Sequence, residues 1–116
     1  MRMWMVDPKI MCRKHLLGEH VEHHMFVGTI NKKISIAGYL RDNLLEPLSL
    51  LTRHVELVRE MEARGYNHKS ELLSVDLSGM TFEQFHTKID REKSLAELLR
   101  RCPECRARYE EMQYAS

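Results

Sequence analysis

Residues 11–30 read Met11-Cys12-Arg13-Lys14-His15-Leu16-Leu17-Gly18-Glu19-His20-Val21-Glu22-His23-His24-Met25-Phe26-Val27-Gly28-Thr29-Ile30, a proline-free run whose apolar residues recur at helical spacing. Leu17, Val21, His24 and Met25 form one stripe, widened by Leu16 and Val27. At about 100° per residue, His15, Glu19, Glu22 and Phe26 gather on the other side. A phenylalanine among acids and a histidine means that this second face is not purely solvent-directed. It describes either a lined pocket or a polar seam against another helix, and spacing alone leaves both open.

On the N-terminal side, residues 1–8 read as extended and are closed by Pro8. On the C-terminal side, residues 31–45 are irregular, with Lys32, Lys33, Gly38 and Arg41. Pro47 suits the first turn of a second helix, where its missing N–H costs nothing. Leu48, Leu51, Val55 and Val58 follow at 3–4 spacing, and Gly65 supplies a left-handed stop after Arg64. Residues 66–80 form a polar loop. Thr81-Phe82-Glu83-Gln84 has capping-box spacing and opens a short helix expected to bury Phe82 and Phe85. Ile89, Leu95, Leu98 and Leu99 carry an apolar face through a third helix that ends near Pro103, with a further turn or two in the tail to Tyr114. No β-sheet pattern emerges. The fold class is all-α, a single compact domain over residues 1–116, built of three main helices with irregular connections.

A chain of 116 residues fits one domain with a modest core. Hydrophobic content of 43% with 30% charged residues is that of a globular chain, and no apolar run approaches the roughly 18 residues that would span a bilayer. The N-terminus lacks the layout of a secretory signal, so an intracellular location is expected, with no membrane partner. Net charge is only +1, so a nucleic-acid surface must come from local clustering. Two basic clusters offer one: Arg2, Lys9, Arg13 and Lys14 near the start, and Arg100, Arg101, Arg106 and Arg108 near the end. Either cluster also reads as an ordinary solvated face. Three cysteines, an odd number, argue against a disulfide framework. Eight methionines read as adaptable core filling.

Three constellations can carry chemistry. The first is the chain's α-amine. Such amines titrate at roughly 7.7–8.0 against about 10.4 for lysine, so a useful fraction is nucleophilic at neutral pH. Arg2 is bulky, and removal of an initiator methionine requires a small second residue, so Met1 is expected to be retained. The second is Glu19 and Glu22. A carboxylate turned inward is costly unless paired or functional, and both acids can equally pair with arginines across a helix seam. The third is Cys12-x-x-His15 with Cys102-x-x-Cys105, which together supply the three thiolates and one imidazole of a tetrahedral zinc site. The alternative is a set of small buried side chains flanking a helix break. His20, His23 and His24 are also clustered, but no spacing joins them to carboxylates as a metalloprotease motif requires, so they read as a mixed face.

His15-Leu16-Leu17-Gly18-Glu19-His20-Val21-Glu22 resembles the first-helix motif of the phage pyrimidine-dimer DNA glycosylases, the endonuclease V family of bacteriophage. His54-Val55-Glu56-Leu57-Val58-Arg59-Glu60-Met61-Glu62-Ala63-Arg64-Gly65-Tyr66-Asn67 looks like that family's second helix and the glycine-aromatic-asparagine turn after it. A third match runs from Ile89 to Pro103 and into the tail. The resemblance implies an all-α domain that binds duplex DNA containing a damaged base or an abasic site. It implies a terminal amine that attacks the sugar C1′, a Schiff base, and strand cutting by β-elimination, with no cofactor. Carried over, Glu22 falls on the family's assisting glutamate, Met1 on its processed terminus (usually threonine) and Arg2 on the arginine that follows. His15 and Glu19 also match. The expected DNA-binding set is Arg2, Arg13, Lys14, His15, Arg106, Arg108 and Tyr109. Two departures stand out. Val21 and Met25 replace arginines that grip DNA around the lesion, and Glu104-Cys105-Arg106-Ala107-Arg108-Tyr109 lacks the family's aromatic-rich recognition segment. A non-catalytic DNA- or protein-binding module on the same fold, with or without a stabilising zinc, is the competing expectation.

Overall fold

A computed structural model describes residues 1–68 and 71–115 of the chain. The element order is α1 (Arg13–Asn31), α2 (Ala37–Arg41), α3 (Leu50–Ala63), α4 (Phe82–Phe85), α5 (Arg91–Arg101) and α6 (Pro103–Ala115), with single 3₁₀ turns at Pro8–Ile10 and Pro47–Ser49. No strand occurs among the described residues. The all-α, single-globule expectation therefore holds, with four long helices rather than three. The fourth is α6, which extends the expected turn or two of tail to 13 residues. A five-residue helix, α2, interrupts the stretch 31–45 that the sequence left irregular. No helix among the described residues is long and apolar enough to cross a membrane.

Several boundaries follow from local chemistry. Pro47 opens the 3₁₀ turn that leads directly into α3. That helix stops at Gly65, whose φ of 82° is the left-handed conformation glycine accepts most readily. The Gly65 N–H donates to Glu62 O at 2.9 Å and the Tyr66 N–H to Met61 O at 2.9 Å, the two bonds of a Schellman motif. The capping box at α4 is complete: Thr81 Oγ1 accepts from Gln84 N–H, and Gln84 Oε1 accepts from Thr81 N–H. Residues 66–80 are irregular as expected, residues 69 and 70 lying outside the described residues.

The N-terminal segment is threaded through the middle of the molecule. Met3 N–H donates to Leu44 O at 2.8 Å, Ser94 Oγ donates to Trp4 O, and Arg53 Nη1 donates to Val6 O at 2.6 Å. Met3 belongs to a core of Phe26, Val27, Ile30, Leu45 and Leu50, whereas Trp4 and Val6 join Met11, Leu16, Leu57, Met61 and Leu98. Residues 3–6 thus stitch two apolar clusters together, and their position is fixed from both sides.

Three expectations about which side chains face inward are corrected. On α1 the expected stripe is split: Val21 is 54% and Met25 49% exposed and Leu17 and His24 are half-buried, whereas Leu16 and Val27 are buried together with Glu19, His20, His23, Phe26 and Ile30. Of the apolar face expected on the second helix, Leu48 falls in the 3₁₀ turn before α3 and is exposed like Leu51 and Val55 on α3, Val58 is half-buried, and Leu50, Arg53, His54, Leu57 and Met61 point inward. The cause is the same in both helices. The packed faces carry polar pairs, so counting hydrophobic residues aims the helix the wrong way. Glu19, fully buried, accepts from Arg53 Nε at 2.6 Å and Nη2 at 3.0 Å, a bidentate pair that forms the seam between α1 and α3. The third correction is Phe82, which is 79% exposed and rests on His86 at 4.2 Å between ring centroids; Phe85 is only half-buried. One helical turn is too short to present a burying face.

Candidate active site

Extended residues alternate sides, so burying Met3 turns Arg2 and Trp4 together toward the first turns of α1. The Met1 amine then lies 3.8 Å from Glu22 Oε1, an ion-pair contact, and Arg2 N–H reaches Glu22 Oε2 at 3.5 Å. Both groups stay partly open to solvent. They line an open cleft of about 440 Å³ with Arg2, Trp4, Lys14, His15, Gly18, Leu44 and Arg101. Glu19 touches the same cleft, but its carboxylate is consumed by Arg53. Of the two candidate acids, Glu22 is the one left available.

The cleft is electropositive apart from Glu22. The Arg2 guanidinium stacks over Trp4 at 3.7 Å from the ring centroid and donates to Ser94 Oγ at 3.2 Å. Arg101 lies over the same ring at 5.7 Å and is held by Glu97. Burial, and then the neighbouring Arg101 charge, lower the Arg2 pKa from its ordinary value. His15 meets the Trp4 ring edge-on at 5.9 Å. Burial lowers its pKa, as do the Lys14 and Arg101 charges, which favours the neutral imidazole.

Beneath the cleft the expected thiol–imidazole set is assembled. Cys12 ends the terminal segment, His15 sits one turn into α1, and Cys102 and Cys105 flank the α5–α6 corner. Cys12 Sγ is 3.2 Å from His15 Nδ1 and 3.8 Å from Cys102 Sγ, and Cys105 Sγ is 3.7 Å from His15 Nδ1. Ligands at about 2.3 Å (sulfur) and 2.0–2.1 Å (nitrogen) around a tetrahedral zinc would stand roughly 3.5–3.8 Å apart, so the spacing fits that ion. Backbone N–H groups already aim at sulfur: Cys12 N–H at Cys105 Sγ, 3.2 Å, and Cys105 N–H at Cys102 Sγ, 3.4 Å. Burial opposes ionisation of Cys102, yet such bonds hold its thiol below the ordinary value, whereas burial pushes Cys105 up to about 12.

The remaining expected DNA contacts do not converge. Arg13 stacks on Tyr66 at 4.6 Å, away from the cleft. Arg106 is exposed on α6, Arg108 donates to the Lys9 carbonyl at 2.8 and 3.1 Å, and Tyr109 packs against the core beside a different groove. Trp4, which the sequence does not single out, and Arg101, expected only as part of the C-terminal basic cluster, also line the cleft. The signal for Trp4 was its position, two residues from Arg2 in an extended segment.

Two histidines of α1, part of a mixed face by sequence, belong to a larger cluster. His20 and His24 of α1, His54 of α3 and His68 beyond it bring one ring nitrogen each within 4.8 Å of one another. The i, i+4 pairing of His20 and His24 was its legible half.

A family model described as pyrimidine dimer DNA glycosylase matches residues 1–74, which hold the terminal segment, α1, the acid Glu22 and the whole of α3. The chain belongs to that family. No match is found among curated proteins or among solved structures.

Proposed function

We propose that this member of the pyrimidine dimer DNA glycosylase family is a DNA-repair glycosylase with abasic-site lyase activity, and that it works through the Met1 amine and Glu22. The observation that carries the reading is the 3.8 Å approach of that amine to Glu22 within an open, basic cleft. The terminal segment is tied down by residues 3 to 6, so the amine does not have to be ordered at the moment of reaction.

The chemistry follows from those groups. The amine nitrogen, unprotonated, attacks C1′ of the damaged nucleotide, whose base has been taken out of the stack. A carbon–nitrogen bond forms, the glycosidic bond breaks, and the departing base keeps its electron pair and takes up a proton. Glu22 accepts the proton that the amine sheds and delivers it to O4′ as the C1′–O4′ bond breaks, so the sugar ring opens to a Schiff base and the carboxylate is regenerated. The same carboxylate then removes a proton from C2′, and β-elimination expels the 3′-phosphate. Water hydrolyses the Schiff base and frees the amine. Arg2, Lys14 and Arg101 line the cleft as phosphate contacts, which bind without specifying sequence. Val21 and Met25, both exposed, leave α1 without the family's gripping arginines, and α6 adds no aromatic to the cleft. The substrate class is DNA carrying a dimer, another damaged base or an abasic site, recognised without that grip.

The spacing of Cys12, His15, Cys102 and Cys105 supports one element of the competing reading, a structural zinc. It would pin the start of α1 to the α5–α6 corner, directly under the cleft. With Nδ1 facing the thiols, His15 helps to shape the wall instead of donating from Nδ1 to DNA.

Incubation with duplex DNA carrying an abasic site, in the presence of borohydride, is expected to trap a covalent protein–DNA adduct. Selective acylation of the α-amine is expected to abolish it. DNA binding without trapping would leave the non-catalytic module as the correct reading.

A further inference from the structure

On the edge of α1 opposite Glu22, four imidazoles from three segments meet. His20 stacks on His54 with centroids 4.9 Å apart and planes 30° apart. His24 and His68 each meet His20 edge-on at 4.9 Å, and His54 lies 5.2 Å from His24 and 5.5 Å from His68. The Nε2 atoms of all four are buried with no hydrogen-bond partner. Buried ring nitrogens are normally satisfied, and one orphan is explicable as a packing compromise. Four orphans converging on one point share a single missing partner.

We propose that His20, His24, His54 and His68 form a second metal site, binding a zinc-class divalent transition ion through imidazole nitrogen alone. One ring nitrogen from each residue falls within 4.8 Å of the others, so some point lies no more than about 3 Å from all four, and modest ring rotations bring it to the 2.0–2.1 Å of a zinc–imidazole bond. The donor set selects the ion. With four nitrogens and no carboxylate, carbonyl or water among the ligands, the site disfavours magnesium and calcium and suits zinc, copper or nickel. Burial keeps His20 and His54 neutral, with pKa values near 4, which leaves their lone pairs free for a metal. Four protein ligands close a tetrahedral shell, so the ion is structural. It would clamp the segment after α3 onto α1 and fix the roll of the helix whose far edge presents Glu22. Its donors share no residue with the thiol set, so the two sites load independently.

Metal content and cobalt spectra of the full chain test this. Purified protein reconstituted with zinc is expected to hold two equivalents, falling to one in His24→Ala/His68→Ala and to the other one in Cys102→Ser/Cys105→Ser. Reconstitution with cobalt(II) distinguishes the sites. The histidine double variant should keep the intense thiolate-to-cobalt band, and the cysteine double variant should lose it while retaining weak visible ligand-field bands. A second readout needs no variant: on adding zinc to the metal-free chain, long-range ¹H–¹⁵N spectra should shift the ring nitrogens of all four histidines, whereas His86 stays unmoved. A single equivalent in the wild-type chain, or zinc addition that leaves those ring nitrogens unmoved, would overturn the proposal.

Discussion

Glu19 and Glu22 sit three residues apart on α1 and have opposite fates. Glu19 is sealed between helices, gripped at both oxygens by Arg53, which also holds the Val6 carbonyl. Glu22 lines the open cleft, 28% exposed, with the terminal amine at 3.8 Å and the Arg2 N–H at 3.5 Å beside it. The comparison separates two uses of one residue type. A carboxylate whose valences are all filled organises a fold; a carboxylate with spare capacity beside a nucleophile is available for proton transfer. The Glu19–Arg53 pair also serves the site, because it anchors the segment that delivers Met1.

The largest effect should come from Glu22→Gln. Glycosylase and lyase turnover should fall about 10²–10⁴-fold while DNA binding and the melting temperature barely change. Parallel turnover, binding and melting measurements check it, and a large loss of stability would erase the distinction from Glu19. Glu19→Ala should act the other way round, costing about 3–5 kcal/mol because it strands a buried guanidinium. Urea unfolding measures that cost. The double variant Glu19→Leu/Arg53→Met should recover much of it, since the pair's desolvation penalty disappears with the charges.

A smaller effect concerns a third acid. Burial alone would raise the Glu46 pKa, but hydrogen bonds from Arg91, Ser49 and the Ile89 N–H hold it at about 2. A carboxyl held below its ordinary value contributes stability that is full above about pH 4.5 and is lost as pH falls toward 2. Denaturant midpoints of the wild-type chain should therefore drop across that window, and Glu46→Gln, already less stable at neutral pH, should show a flatter profile. The smallest effect is Lys14→Ala, which should reduce the slope of log affinity against log salt by about one phosphate contact, or roughly 0.9, without altering turnover of bound DNA.

The parts of the molecule that could be read from sequence were those governed by local rules. Gly65 stopping α3, Pro47 opening it and the Thr81–Gln84 box each depend on a few adjacent residues, and each is found where expected. The thiol–imidazole set was legible because every cysteine fell into one of two short ligand spacings. The orientation of α1 and α3 was not legible. Their buried faces carry Glu19, His20, His23, Arg53 and His54, so the polar residues that pack the seam disguised it as surface. Long-range pairing hid the rest. Arg101 reaches the cleft only because α5 runs back past Trp4, and His54 and His68 are unremarkable until α3 is laid against α1. Glu22 was singled out from Glu19 by family resemblance; the structure adds the physical difference between them.

The central claim is that the Met1 α-amine is the nucleophile. Peptide mapping by mass spectrometry of the borohydride-trapped adduct tests it most directly. The account predicts the sugar remnant on the amine of the Met1 peptide, with Lys14 unmodified. A remnant on Lys14 or any other lysine side chain, with the α-amine intact, would contradict it.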